Sequence, residues 1–176
     1  MKSIKDADTC RALVISDTHG RNPELIKKVI EREFPFDLLI HCGDVICDIY
    51  QLTGSNPPYQ VYAVKGNCDI RKYPREVLIE AAGHRIFAVH GDAYGVYYSS
   101  TSLYAAAAER KADVVLFGHT HVPETGEHNG IFLLNPGSFH NPHGADRTPT
   151  YGLLELSRGE YPKMSIRRVG QGDVSL

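Results

Sequence analysis

Five short apolar runs in this chain each end on Asp, His or Asn set beside glycine. Residues 12–16 lead into Ser16-Asp17-Thr18-His19-Gly20, and residues 37–41 into His41-Cys42-Gly43-Asp44. Residues 60–64 lead into Lys65-Gly66-Asn67-Cys68-Asp69. Residues 85–90 lead into His90-Gly91-Asp92, and residues 113–117 into Gly118-His119-Thr120-His121. Apolar runs of this length, bounded by turn residues, read as buried strands. In sheets that contain parallel strands, ligands bind beyond the carboxyl ends of the strands. Five ends with the same chemistry therefore predict one shared site.

The remaining elements follow from spacing. Asn22 is expected to cap a helix that has Pro23 at its first position, Glu24 in its first turn and Leu25, Ile26, Val29 and Ile30 as its apolar stripe. Ser99 or Ser100 should cap a second helix through the alanine run to Arg110. Residues 77–81 and 85–90 read as strands joined at Gly83. Asn129-Gly130 between residues 125–128 and 131–134 is a strong hairpin signal. A second hairpin is expected at Arg158-Gly159, between residues 151–156 and 163–169. The first half thus reads as βαβ units and the second as antiparallel hairpins. The predicted fold class is α/β (α+β), a four-layer sandwich of two mixed sheets packed face to face and flanked by helices.

With 42% hydrophobic residues in 176, residues 1–176 are expected to form a single domain. A net charge of -2 gives no sign of a dedicated nucleic-acid-binding surface. No run of 18 apolar residues predicts a membrane span, and residues 1–10 lack the apolar core of a signal peptide, so a cytoplasmic location is expected. Cys10, Cys42, Cys47 and Cys68 form no C-x-x-C pair and should be reduced.

Histidine nitrogen, carboxylate oxygen and one amide oxygen suit first-row divalent metals. Asp17-x-His19 and His119-x-His121 place two side chains on one side of an extended segment. Asp17, His19, Asp44, Asn67, His90, His119 and His121 are too many ligands for one tetrahedral zinc and suit two ions sharing a carboxylate. Manganese is expected foremost, with iron, zinc, nickel or cobalt as alternatives. His41 and Asp69 read as supports beside this set. His140 and His143 read as solvated loop histidines, His84 and His128 as exposed at hairpin edges, and Tyr94, Tyr97, Tyr98 and Tyr104 as packing residues.

The ordered set Asp17-x-His19, Gly43-Asp44, Gly66-Asn67, His90 and Gly118-His119-x-His121 resembles the calcineurin-like metallophosphoesterase superfamily. Asn135-Pro136-Gly137-Ser138 is similar to a segment of its small bacterial and archaeal phosphodiesterase branch. The resemblance implies a double β-sandwich. It also implies one ion on Asp17, His19 and His121, another on Asn67, His90 and His119, and Asp44 as the bridge. Asp44, Asn67 and His119 are the catalytic candidates. The implied activity is hydrolysis of a small phosphate ester, most simply a diester, by a hydroxide between the ions.

Much of the superfamily has histidine where this chain has Cys68, a position suited to leaving-group chemistry; a buried filler is the competing reading of the thiol. Two rival functions share the scaffold: a phosphomonoesterase, and a non-catalytic protein-binding scaffold of the kind the retromer subunit represents. Hairpin edges in the second half could support a homodimer.

Overall fold

Along β1 (Thr9–Ile15) successive side chains leave in opposite directions, and both sides are buried from Ala12 onward. Ala12 and Val14 enter one apolar cluster; Leu13 and Ile15 enter another. A strand apolar on both faces needs cover on both. The computed structural model of the chain, which describes residues 4–170, provides that cover in four layers.

In chain order the elements are β1, α1 (Pro23–Glu33), β2 (Leu38–His41), α2 (Tyr50–Thr53), β3 (Gln60–Ala63), β4 (Glu76–Ala81) and β5 (His84–Val89). After a 3-10 turn at Asp92–Tyr94 come α3 (Thr101–Glu109), β6 (Val114–Leu116), β7 (Pro123–His128), β8 (Ile131–Pro136), β9 (Thr150–Ser157) and β10 (Lys163–Arg168). One sheet runs β10-β9-β1-β2-β3 and the other β4-β5-β6-β8-β7. Val14, Ile40 and Leu154 of the first sheet meet Ile86, Ala88, Leu116 and Leu134 of the second in the central layer. Ile26, Val29 and Ile30 seat α1 on the outer face of the first sheet against Leu13, Ile15 and Leu39. Leu103, Ala106 and Ala107 seat α3 on the outer face of the second against Phe87, Val115 and Leu133. Each Val, Leu, Ile or Phe among them, fully buried, contributes roughly 1.5–3 kcal/mol over its exposed state.

The expected four-layer sandwich is the observed one, and the Asn129-Gly130 hairpin forms with both residues at positive φ, as a primed turn requires. Four details differ. Asn22 starts α1 through its backbone: its φ is 52°, its carbonyl accepts from Leu25 and Ile26 N–H, and its side chain makes no cap bond. The second half is not purely antiparallel, because β8 pairs parallel to β6 and β6 parallel to β5. The short helix α2 carried no sequence signal. His84 is buried rather than exposed: Nδ1 lies 2.6 Å from Asp113 Oδ2 and Nε2 3.1 Å from the Ser157 carbonyl, which ties β5 to the end of β9. Among the described residues no helix is long and apolar enough to cross a membrane.

The last turn of α1 is fixed to the sheet by polar contacts. The buried Tyr151 hydroxyl donates to Glu33 Oε1 (2.6 Å) and accepts from Arg32, while Arg11 Nη2 donates to Glu33 Oε2 (2.8 Å). Burial, then the Glu33 carboxylate, push the Tyr151 phenol up to about 12, so it stays a donor at neutral pH. Tyr151→Phe removes a hydrogen bond to a charged acceptor and should cost about 1.5–3 kcal/mol. Urea denaturation should show that loss as a lower midpoint with unchanged slope.

Candidate metal centre

β1, β2 and β3 run parallel in one sheet; β5, β6 and β8 run parallel in the other. The six carboxyl ends carry residues 16–20, 42–44, 64–69, 90–92, 117–121 and 137–143. Backbone bonds stitch these segments together: Asp17 N donates to Gly43 O (3.0 Å), His19 N to Asp44 O (2.9 Å) and Gly118 N to His90 O (2.9 Å). All seven predicted metal-ligating residues lie in these segments.

Their side chains form two linked groups. Asp17 Oδ1 lies 3.2 Å from His121 Nε2, and His121 Nε2 lies 3.4 Å from His19 Nε2. On the other side His90 Nε2 lies 3.1 Å from Asn67 Oδ1 and 3.2 Å from His119 Nδ1. Asp44 Oδ2 sits between the groups, 3.6 Å from both His19 Nε2 and His90 Nε2.

The outer atoms of these side chains are already committed. His90 Nδ1 is 2.8 Å from the Cys42 carbonyl and His121 Nδ1 is 2.9 Å from the Asn141 carbonyl. A carbonyl only accepts, so each Nδ1 carries the proton and, in a neutral ring, Nε2 is the inward acceptor. Asp17 Oδ2 accepts from Ser16 Oγ (2.6 Å) and His119 N (3.0 Å), while buried Oδ1 has no hydrogen-bond partner. Asp44 Oδ1 accepts from Cys68 N (2.8 Å). What remains pointing inward includes the lone pairs of His90 Nε2, Asn67 Oδ1 and the Asp17 and Asp44 carboxylates, close together and away from water, an arrangement that a cation would satisfy. The orphaned Asp17 oxygen and the nitrogen–oxygen donor set thus fit divalent cations.

The electrostatics favour the metal-binding form of Asp17, His19 and His119. Burial lowers the pKa of His19 against the opposing pull of Asp44 and Asp17. Burial and the neighbouring His90 lower that of His119. For Asp17 burial acts upward, but the close His121 imidazole, the nearby His90 and the Ser16 hydrogen bond outweigh it and hold the carboxyl below its ordinary value. His121 goes the other way: burial acts downward, and the adjacent Asp17 carboxylate overrides it. A proton then competes with a cation at that ring.

The backbone is strained where the chemistry is. Asp17, His19, Asp44, His119 and His121 all have positive φ, between 49° and 70°. Such angles cost non-glycine residues on the order of 1 kcal/mol or more each and persist where surroundings enforce them. Glycines supply part of that enforcement by letting backbone pass close. A Cβ on Gly66 would lie 2.0 Å from Asp44 Oδ1, and one on Gly43, whose φ is +99°, would lie 2.5 Å from His90 Nδ1.

Supporting side chains do the rest. Asp69 accepts from the N–H groups of Asp44 (2.9 Å), Ile46 (2.6 Å) and Gly66 (2.8 Å), which ties two of the loops together. His41 touches no predicted ligand side chain; it lies 3.0 Å from Thr18 Oγ1 and accepts from Gly43 N (3.2 Å). Asn135 Nδ2 donates to Gly118 O (3.1 Å), and Ser138 Oγ donates to Asp17 O (2.9 Å), so the Asn135–Ser138 turn holds two ligand segments.

Three sequence expectations need correction. Cys68 is exposed rather than a buried filler, and its Sγ shares a potential metal-binding group with His19 and Asp44. Local desolvation, then the Asp44 hydrogen bond and charge, push its thiol up to about 11. His140 is half-buried rather than solvated and stands edge-on to His19 at 5.6 Å; His143 is the expected exposed loop histidine, and it also stacks on His121 at 5.0 Å with 23° between planes. Tyr94 and Tyr104 pack against the core, but Tyr97 donates to His119 O (2.9 Å) with its ring 4.9 Å from the His119 ring, and Tyr98 is exposed.

Known proteins resemble this chain in sequence and in fold. A family model for the calcineurin-like phosphoesterase superfamily domain matches residues 11–159. The chain is 37% identical to the probable metallophosphoesterase YsnB of Bacillus subtilis over 146 residues, 82% of this chain and 83% of that protein. It is 32% identical to the phosphodiesterase YfcE of Escherichia coli over 108 residues, 55% of this chain and 53% of that one. Vacuolar protein sorting 29 from Cryptosporidium parvum shares the fold at a TM-score of 0.79 and 20% identity, with 95% of each chain covered.

Two outcomes follow from the packing of this region. Gly66→Ala should displace Asp44 and lower Mn²⁺ affinity, measured by calorimetry, by roughly 10–100-fold, the range for disturbed ligand support. Burial depresses the His41 pKa from 6.5 to about 4, so between those values the unfolded chain holds the extra proton. Stability from this group is therefore complete above pH 6.5 and is lost as pH falls, by about 3 kcal/mol in total. Urea denaturation at pH 7 and pH 4.5 should show a smaller acid loss for His41→Asn than for the native chain.

Proposed function

This chain belongs to the calcineurin-like phosphoesterase superfamily, and we propose that it is a dinuclear-metal phosphodiesterase acting on a small phosphate ester. The observation that carries the reading is the pair of inward-facing acceptor groups with Asp44 between them. Asp17, His19 and His121 would hold one ion, and Asn67, His90 and His119 the other, with Asp44 shared. When bound, two divalent cations supply charge neutralisation at the phosphoryl oxygens and a water acidified toward neutral pH. Mn²⁺ is the proposed pair among the first-row divalent ions that a mixed set of histidine, carboxylate and amide oxygen suits.

The protein's own groups do the positioning. His90 and His121 are locked by their Nδ1–H bonds to carbonyls, so their inner nitrogens hold still. Fixed groups need no reorganisation as charge develops on the phosphoryl oxygens. Asn67 Oδ1 faces the site while its Nδ2 donates to Cys68 Sγ (3.3 Å). Cys68 occupies the position where much of the superfamily has a histidine suited to leaving-group chemistry, and its thiol proton is held to about pH 11. So weak an acid gives little help to a departing alkoxide and is not needed by an aryloxide. The name of YfcE supports a diester over a monoester.

The likeness to vacuolar protein sorting 29 reflects fold alone, and a protein-binding role draws no support from the intact set of metal-compatible side chains. Turnover of bis(p-nitrophenyl) phosphate and of p-nitrophenyl phosphate, with Mn²⁺ and with chelator, tests the reading. Faster metal-dependent hydrolysis of the diester, abolished in His119→Ala, is the expected result. Aryl diesters should outpace alkyl diesters, and Cys68→His should narrow that gap by accelerating the alkyl ones. Equal native rates on both would refute the leaving-group argument.

A further inference from the structure

Tyr97 is held in place and yet left open. Its hydroxyl is committed to the His119 carbonyl at 2.9 Å, and its ring meets the His119 ring edge-to-face at 4.9 Å and 65°. The side chain is nevertheless 60% exposed, and the adjacent Tyr98 is 96% exposed. A strut for His119 needs only the hydroxyl–carbonyl bond, which a buried ring could make without leaving apolar surface in water. The opposite rim is different in kind: His140, His143 and Asn141, polar side chains gathered around His19 and His121. The centre thus has one aromatic wall and one polar wall.

Resting on the phosphoesterase reading above, we propose that Tyr97 is the specificity wall of the substrate site and that the preferred esters carry a planar aromatic group beside the phosphate. A phosphoryl group at the centre would lie next to His119, and a ring attached to it on that side would reach Tyr97 within the 4.5–7 Å at which aromatic pairs interact. Because the Tyr97 hydroxyl is already engaged, the ring loses little conformational freedom when a ligand stacks on it. The polar rim would take the solvated end of the ester.

Phosphonates separate this recognition from leaving-group chemistry, since they bind without being cleaved. Dissociation constants of phenylphosphonate and cyclohexylphosphonate are measured by calorimetry on the Mn²⁺-supplemented native protein, Tyr97→Phe and Tyr97→Leu. Mn²⁺ binding to each variant is measured separately as a check on the centre. The native chain should prefer the phenyl compound by roughly fivefold, the scale of an aromatic pair beyond equal area. Tyr97→Phe should keep that preference, and Tyr97→Leu should lose it while still binding Mn²⁺. Equal affinities in the native protein, or a preference that survives Tyr97→Leu, overturn the aromatic wall and leave the phosphoesterase reading standing. Failure of both phosphonates to bind a protein that holds Mn²⁺ brings down that reading and this proposal together.

Discussion

Carboxylates, imidazoles and an amide oxygen crowded within 3.1–3.6 Å of one another, with Asp17 Oδ1 buried and without a hydrogen-bond partner, are the constraint on which the rest of the structure turns. Burying charged groups costs several kcal/mol per ion unless opposite charge or hydrogen bonds offset it. The chain accepts further costs to hold them there, with five of the predicted ligand residues at left-handed backbone angles. Glycines 43, 66 and 118 leave no room for a Cβ beside those residues. Asp69, Asn135 and Ser138 spend their polar atoms on neighbouring backbone instead of on the centre itself. The backbone hydrogen bonds stabilise the loops, and a binding role accounts for why these loops hold strained, crowded polar residues.

The fold supplies the place. Two sheets, each with three parallel strands, direct six carboxyl ends toward the same region. The apolar middle of every parallel strand builds the sandwich, and its last residue hands the chain to a polar loop. Stability and chemistry are therefore divided along each strand, so replacements in the core and at the centre should act on different observables.

Much of this was legible because both signals are local. Buried strands are short apolar runs, and the ligands follow directly after them, so Asp17, Asp44, Asn67, His90 and His119 stand at run ends in the sequence itself. Asn129-Gly130 names its own turn. What escaped was tertiary. His140 and the exposed His143 show no link to the centre in the sequence until β8, parallel to β6, carries them beside His19 and His121. Tyr97 is separable from Tyr94 and Tyr104 only in three dimensions, by its exposure and by where its hydroxyl goes. His84 looked exposed because its partners, Asp113 and Ser157, are distant in sequence. Asn22 announced a helix start correctly, but its left-handed backbone moved the capping from the side chain to the carbonyl.

The central claim is that the two acceptor groups hold two cations with Asp44 between them. Anomalous diffraction from crystals grown with Mn²⁺ tests it without reference to activity. The account predicts two peaks roughly 3.5–4 Å apart, one against Asp17, His19 and His121 and the other against Asn67, His90 and His119. A single peak, or none at these residues in crystals that contain the metal, would contradict it.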